Sequence, residues 1–303
     1  LETRNKSWGG FLGIIPVVGA FGIAVGYAVV VGWFLRFLGG FITGSAMSAA
    51  DSGAYFGELA SPFGSIIWHL LALILVSIVL ISGISKGIET MDKIMMPAFY
   101  ILFVIVMVRV FMLDGAFEGI KYLVVPKWSS LMEPKTWIYA LGQAFFSLSL
   151  AGSGMIVYGS YLKRDVDIMS SAKNTVIFDT LGAFLAGLVI IPAVFAFNLD
   201  PASGPPLLFI TIPSVFKLMP FGRLFGVIFF ISVLFASITS LMNLLEVPIE
   251  AVQSTFKLKR KLSVFIVVGA TFIFGLFAED KVANITINTI NIHEIIIILK
   301  SNI

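Results

Sequence analysis

The sequence predicts an all-α, polytopic membrane fold, and three observations carry that prediction. Of 303 residues, 58% are hydrophobic and 12% charged, against roughly 45–50% and about 25% in a soluble domain. The mean hydropathy is +1.02, more apolar surface than a water-facing exterior can hide. The apolar residues also fall in long blocks. Blocks of about 20 residues suit helices that cross a bilayer, whereas a membrane β-barrel alternates polar and apolar residues over about 10.

The blocks give about six to seven transmembrane helices, one of them broken. The first runs over 9–41, overlong and so tilted or extended beyond the bilayer. A polar, small-residue loop follows from Thr43 to Pro62, then spans over 64–84 and 94–113 with the polar turn 85–93 between them. Residues 114–135 read as a mixed interfacial loop with Pro126, Trp128 and Pro134. The fourth block, 137–162, is interrupted by Ser147, Ser149, Gly152, Ser153 and Gly154. The fifth, 174–197, carries Asp179 near its start. Five prolines between Asp200 and Pro220 argue against a regular spanning helix there. The sixth block is 221–247, with Glu246, Pro248 and Glu250 marking its exit, and the seventh is 262–278. Together 1–278 reads as a single transmembrane domain. The Ile- and Asn-rich stretch 279–303 reads as an irregular tail foreign to it.

Lys and Arg fix an orientation. Arg4, Lys6, Lys86, Lys93, Lys163, Arg164, Lys173, Lys257, Lys259, Arg260 and Lys261 share one set of alternate loops. The positive-inside rule puts that set, and the N-terminus, in the cytoplasm of a cell whose plasma (inner) membrane holds the chain. A net charge of +3 is accounted for by those loops and calls for no nucleic-acid partner. The chain has no cysteine and two histidines, His69 and His293, which leaves no disulfide, thiolate metal site or histidine cluster. His69 reads as a packing or interfacial residue. No phosphate loop, nucleophile–base pair or metal-ligand spacing occurs, so the sequence points away from an enzyme.

Polar residues inside apolar blocks are informative because an unpaired polar group in hydrocarbon costs several kcal/mol. Ser147-Leu148-Ser149-Leu150-Ala151-Gly152-Ser153-Gly154 is the strongest such interruption. Small residues permit close helix packing; a Gly-x-Gly among serines also marks an unwound helix whose freed carbonyls and hydroxyls bind ions and substrate. Asp179 is either an intramembrane functional carboxylate or an interfacial cap of a helix that starts later. In Ala236-Ser237-Ile238-Thr239-Ser240 the hydroxyls either bond back to their own helix or offer oxygen to a hard cation such as Na⁺. Tyr27, midway along the first span, needs a partner for its hydroxyl at that depth.

Two runs resemble the neurotransmitter:sodium symporter family, and within it the bacterial amino-acid transporters of the leucine-transporter type. Gly83-Ile84-Ser85-Lys86-Gly87-Ile88-Glu89, ending at Met96-Pro97, is similar to that family's fourth-to-fifth helix turn. Trp137 through Gly142-Gln143-Ala144-Phe145-Phe146-Ser147-Leu148-Ser149-Leu150, continuing to Tyr158-Gly159-Ser160-Tyr161, resembles its broken sixth helix. The likeness spans about Trp8 to Phe277 and implies family helices three to eight and the start of nine, a partial inverted-repeat fold. It implies sodium-coupled symport of an amino acid by alternating access. Tyr27 then resembles the tyrosine that meets the substrate carboxylate, and Phe146 the aromatic lid. Ser147 resembles a ligand of the first sodium ion and Ser149 a residue of the unwound segment. Ala236, Thr239 and Ser240 resemble the ligands of a second sodium ion, with Thr239 beside the substrate. Asp179 falls at or near the family's asparagine sodium ligand, and Gln143 resembles a chloride-site residue.

A carboxylate at Asp179 would compensate the two sodium charges, so the resemblance implies that chloride is not required. Gly152 stands where the family often has Phe or Met, which leaves room for a substrate larger than leucine. The family's first two helices and its last ones have no counterpart here. The chain as given is therefore expected to be an inactive, truncated piece of a transporter; the alternative is a non-transporting membrane fragment or scaffold left by a decayed gene. Nothing in the sequence names the amino acid or an oligomeric state.

Overall fold

The computed structural model describes residues 6–150, 154–162, 165–198 and 207–279, and among them every regular element is helical. The first expected span is α1 (Lys6–Thr43). The polar loop after it folds into two short helices, α2 (Ser45–Ser48) and α3 (Ser52–Leu59). Gly44, at φ 92°, turns the chain between α1 and α2. Asp51 starts α3 by accepting from the Ala54 N–H at 2.7 Å, the usual remedy for an orphan amide at a helix start.

Next come α4 (Ile66–Ile81), a π turn over Ile84–Ile88 entered at Gly83 (φ 86°), and α5 (Glu89–Phe111). Thus α5 begins at Glu89 rather than near Ile94. Glu89 and Asp92 lie in its first turn, where carboxylates favour the positive end of the helix dipole. The mixed loop contains α6 (Ala116–Val124) and a 3₁₀ turn over Trp128–Met132.

The fourth block is two helices, α7 (Pro134–Ser147) and α8 (Gly154–Tyr161). α9 (Ile168–Ala196) starts well before Asn174 because Asp167 caps it, accepting from Met169 N–H at 3.0 Å and Ser170 N–H at 3.3 Å. The proline-rich stretch ends in a π turn, Leu207–Thr211, and α10 (Ile212–Leu218).

α11 (Gly222–Phe256) runs past Val247, through Pro248. One proline removes one backbone bond and bends a helix without having to end it when packing holds both halves. The last described helix is α12 (Arg260–Glu279). Apart from Glu279, the expected tail lies outside the described residues.

Among the described residues, five helices are long and apolar enough to cross a membrane: 13–43 of α1, 86–111 around α5, α9, α11 and α12. α4 and the 207–218 segment are apolar but shorter. α1 packs along α11 and α4, α5 against α11 and α9, and α6 against α9. Rings fill the seam at one end. Phe37 stacks on Phe230 at 5.4 Å, Phe41 on Phe230 at 5.3 Å, and Phe56 on Phe209 at 5.0 Å. In lipid such packing, rather than exclusion of water, holds helices together.

The α1–α4 crossing is close enough to need a glycine. A Cβ at Gly32 would sit 2.7 Å from the His69 backbone nitrogen and 2.8 Å from the Trp68 carbonyl carbon. Backbone cannot rotate away as a side chain can, so Gly32→Ala must push α4 off α1. It should cost about 1–3 kcal/mol, read as a lower melting temperature in detergent, with Gly13→Ala, which meets nothing, as the neutral control.

Two buried polar groups tie helix ends. His69 is fully buried, its Nδ1 3.3 Å from Glu279 Oε1 and its ring against Phe272; it is a packing residue with no interfacial exposure. Glu246 is also fully buried. Arg260 forks onto it, Nη1 to Oε1 and Nη2 to Oε2, each at 2.8 Å, and its Nε donates to the Leu80 carbonyl at 2.8 Å. Tyr161 adds hydroxyl contacts to Glu246 and Glu250 at 3.2 Å. The bridge joins α4, α8, α11 and α12 where the basic loop 257–261 begins.

Candidate functional site

α7 ends because its last turn closes on itself. Leu148 N–H donates to Ala144 O, Ser149 N–H to Phe146 O and Leu150 N–H to Phe145 O, all at 3.1 Å. The last two bonds have the 5→2 and 6→1 pattern of a helix stop with one left-handed residue. That residue is Ser149, at φ 55°, a conformation that costs a residue with a Cβ roughly 1–2 kcal/mol. α8 begins at Gly154, where an added Cβ would lie 3.0 Å from Ser149 Cβ. The break is therefore built by a strained serine and closed by a glycine.

Facing the break is a cavity of about 590 Å³. Ile23 and Tyr27 of α1 line it, with Phe146–Ser149 at the break and Gly154, Met155 and Tyr158 of α8. Asp92 of α5, Thr175 and Asp179 of α9, and Ser240, Asn243, Leu244 and Val247 of α11 complete the wall. The volume is in the range of small-molecule sites, and an apolar lining with a few convergent polar groups is their usual make-up.

Six of the residues singled out from the sequence meet in this cavity: Tyr27, Phe146, Ser147, Ser149, Asp179 and Ser240. The Tyr27 hydroxyl faces Ser240. Ser147 Oγ donates to Asp179 Oδ2 at 3.0 Å, joining the end of α7 to α9. Asp179 lies three turns into α9, whose cap is Asp167, so the interfacial-cap alternative falls. Phe146 is 57% exposed at the rim. Gln143 is exposed on α7 and outside the lining. Gly152, with Ala151 and Ser153, lies outside the described residues.

Ala236 and Thr239 do not line the cavity. Thr239 Oγ1 donates to Ala236 O at 2.8 Å, Ser240 Oγ donates to the same carbonyl at 3.0 Å, and Thr239 Oγ1 also approaches Met96 Sδ at 3.7 Å. Both hydroxyls thus bond back to their helix, as hydroxyls in apolar helices commonly do. The bond uses each hydroxyl's single proton and leaves oxygen lone pairs free. The two hydroxyl oxygens beside α5 are of the kind a hard cation takes, while the Ala236 carbonyl is already occupied by both hydroxyl protons.

Asp92, Tyr158, Asn243 and Thr175 carry no role in the sequence reading, yet all reach the cavity. For Asn243 a signal exists: Ala236, Thr239, Ser240 and Asn243 follow i, i+3, i+4, i+7, one stripe of a helix. Tyr158 Oη donates a short hydrogen bond to Asn243 Oδ1, tying α8 to α11.

Comparison with known proteins gives a concordant picture. The chain matches the family described as SNF, the sodium:neurotransmitter symporter family, over residues 56–294, a stretch that enters the Ile- and Asn-rich tail. It is 38% identical over 264 residues to the uncharacterized sodium-dependent transporter YhdH of Bacillus subtilis (strain 168), covering 86% of this chain and 58% of that protein. It is 33% identical over 294 residues to an uncharacterized sodium-dependent transporter of Haemophilus influenzae, covering 93% and 64%. Its fold resembles the crystal structure of MhsT in complex with L-phenylalanine, with a TM-score of 0.84 and 33% identity over 92% of this chain and 64% of that one. The chain therefore spans roughly three fifths of the length of these relatives.

Proposed function

Because the chain belongs to the sodium:neurotransmitter symporter family, we propose that it forms the central part of a sodium-coupled amino-acid symporter working by alternating access. The observation that carries this is the cavity at the helix break, where Tyr27, Phe146, Ser147, Ser149, Asp179 and Ser240 converge from four helices and the break itself. The relatives' sodium dependence and the L-phenylalanine held by MhsT support the choice of cargo.

In this reading the substrate carboxylate meets the Tyr27 hydroxyl, its apolar part lies against Phe146, Ile23 and Leu244, and Ser149 shapes the pocket beside the break. Thr239 reaches the substrate only through its neighbour Ser240. One sodium ion takes Ser147 and Asp179 as ligands; a second takes the Ala236 carbonyl with the Thr239 and Ser240 hydroxyls. A carboxylate so placed offsets cation charge in a medium of low dielectric, so transport proceeds without chloride. The cell's plasma membrane holds the protein, with the start of α1 on the cytoplasmic side, as its basic loops require.

The test is uptake of a labelled amino-acid panel into proteoliposomes by a protein of the relatives' full length containing this chain. Uptake of at least one amino acid should need an inward sodium gradient and be indifferent to external chloride. Absence of any sodium effect sinks the symport mechanism; uptake that tracks chloride sinks the role given to Asp179. The 303-residue chain by itself, at three fifths of the relatives' length, is expected to give no uptake in the same assay.

A further inference from the structure

We propose that Asp92, Asn243 and Tyr158 form an inner binding site for a hard monovalent cation, one helical turn beyond the Thr239 and Ser240 hydroxyls toward the start of α5. The register of two packed helices places it. Thr239 Oγ1 meets Met96 Sδ at 3.7 Å, which fixes α5 against α11. Asp92 precedes Met96 by four residues and Asn243 follows Thr239 by four. Further along α5, Phe103 meets Phe229 and Arg109 lies over Phe225, so α5 and α11 run in opposite senses and both residues lie one turn, about 6 Å, to the same side of that contact. Both line the cavity, as does Tyr158 of α8, which is hydrogen-bonded to Asn243.

The chemistry of the group is that of a cation site. Asp92 supplies a carboxylate whose Oδ1 is shut off from solvent and has no hydrogen-bond partner among the described residues. Lys93 is committed to Glu89 at 2.7 Å, and Arg260 to Glu246, so neither neutralises it. Asn243 and Tyr158 spend one proton between them in their own hydrogen bond, which leaves amide and phenol oxygens with free lone pairs in the cavity that Asp92 also lines. Asp92 is half-buried, and a carboxylate oxygen shut off from solvent without a partner is costly unless a positive charge accompanies it. One carboxylate and neutral oxygens match Na⁺ in hardness. With the positive-inside orientation, the site lies on the cytoplasmic side of the second sodium position. A role as a stage in sodium release rests on the symport mechanism proposed above; cation binding by the site does not.

Every ligand lies within this chain, so the test needs no other part of a transporter. Purified 303-residue chain in detergent is titrated with ²²Na⁺ in a scintillation-proximity assay. Saturable binding is expected, weakened at least tenfold in Asp92→Asn and unchanged in Glu118→Gln, which lies on α6 away from the cavity. Asn243→Asp, with Asp92 intact, adds a second carboxylate and should tighten binding at least fivefold; this variant keeps the proposal testable if Asp92→Asn does not fold. No saturable binding by the unaltered chain, binding indifferent to both substitutions, or binding lost in Asp179→Asn but kept in Asp92→Asn would each overturn the site. None of these outcomes bears on sodium-driven uptake by the longer protein, so the two proposals fail separately.

Discussion

Glu246→Gln is expected to destabilise the chain more than any other single isosteric change. It leaves Arg260 charged, largely buried and without its carboxylate, while the Leu80 carbonyl remains its one fixed acceptor. Breaking one partner of a buried pair typically costs about 3–5 kcal/mol, because the surviving charge keeps its desolvation cost and loses its attraction. For a chain of this size that corresponds to an apparent melting temperature lower by about 10 °C, read by fluorescence in detergent. Lys93→Met, which removes an exposed pair with Glu89, should cost under about 1 kcal/mol. Equal effects would show that the buried bridge holds nothing together. The double change Glu246→Leu with Arg260→Met separates pairing from desolvation: if the loss comes from an orphaned charge, removing both charges restores most of it.

The second large effect belongs to Asp179→Asn. If Ser147 and Asp179 hold a sodium ion as proposed, the substitution keeps the shape and removes the charge. A unit charge about 4 Å from a cation is worth about 4 kcal/mol at an effective dielectric of 20, part of which is offset by the carboxylate's own desolvation. The sodium concentration for half-maximal uptake by a full-length protein should then rise 10- to 100-fold, since about 1.4 kcal/mol is a factor of ten. Added chloride should recover part of that loss, because an anion entering the site replaces the missing charge. An unchanged sodium dependence would remove Asp179 from the ion site. Ser147→Ala loses one neutral ligand and one hydrogen bond, so its effect should be several-fold smaller.

Membrane class and the all-helical fold followed from residues read one block at a time. So did the interruption of the fourth block: Ser147, Ser149 and Gly154 are small or hydroxylated where the neighbours are apolar, and the structure puts a left-handed serine and a close-packed glycine there. Helix starts were less legible. Asp167 and Glu89 extend α9 and α5 beyond their apolar blocks, because caps and dipoles recruit polar residues that hydropathy assigns to loops. In sequence Asp179 fits a cap or an interior position equally; Asp167 occupies the capping position of α9.

What the sequence by itself determined is what acts within one helix: how much apolar surface must face lipid, where a backbone is easily broken, and which hydroxyls share a stripe. What only the tertiary structure decided is which helices bring their stripes together. Glu246 looks like an exit residue in sequence and is the buried partner of Arg260, which follows it in the chain but faces it from another helix. Asp92 looks like part of a polar turn and lines the cavity with Tyr158 and Asn243. The reason is geometric. Periodicity gives the angle of a side chain about its own axis, whereas a site depends on the rotation and register of several axes at once. Those are set by contacts such as Gly32 against His69 and Thr239 against Met96, between residues far apart in the chain.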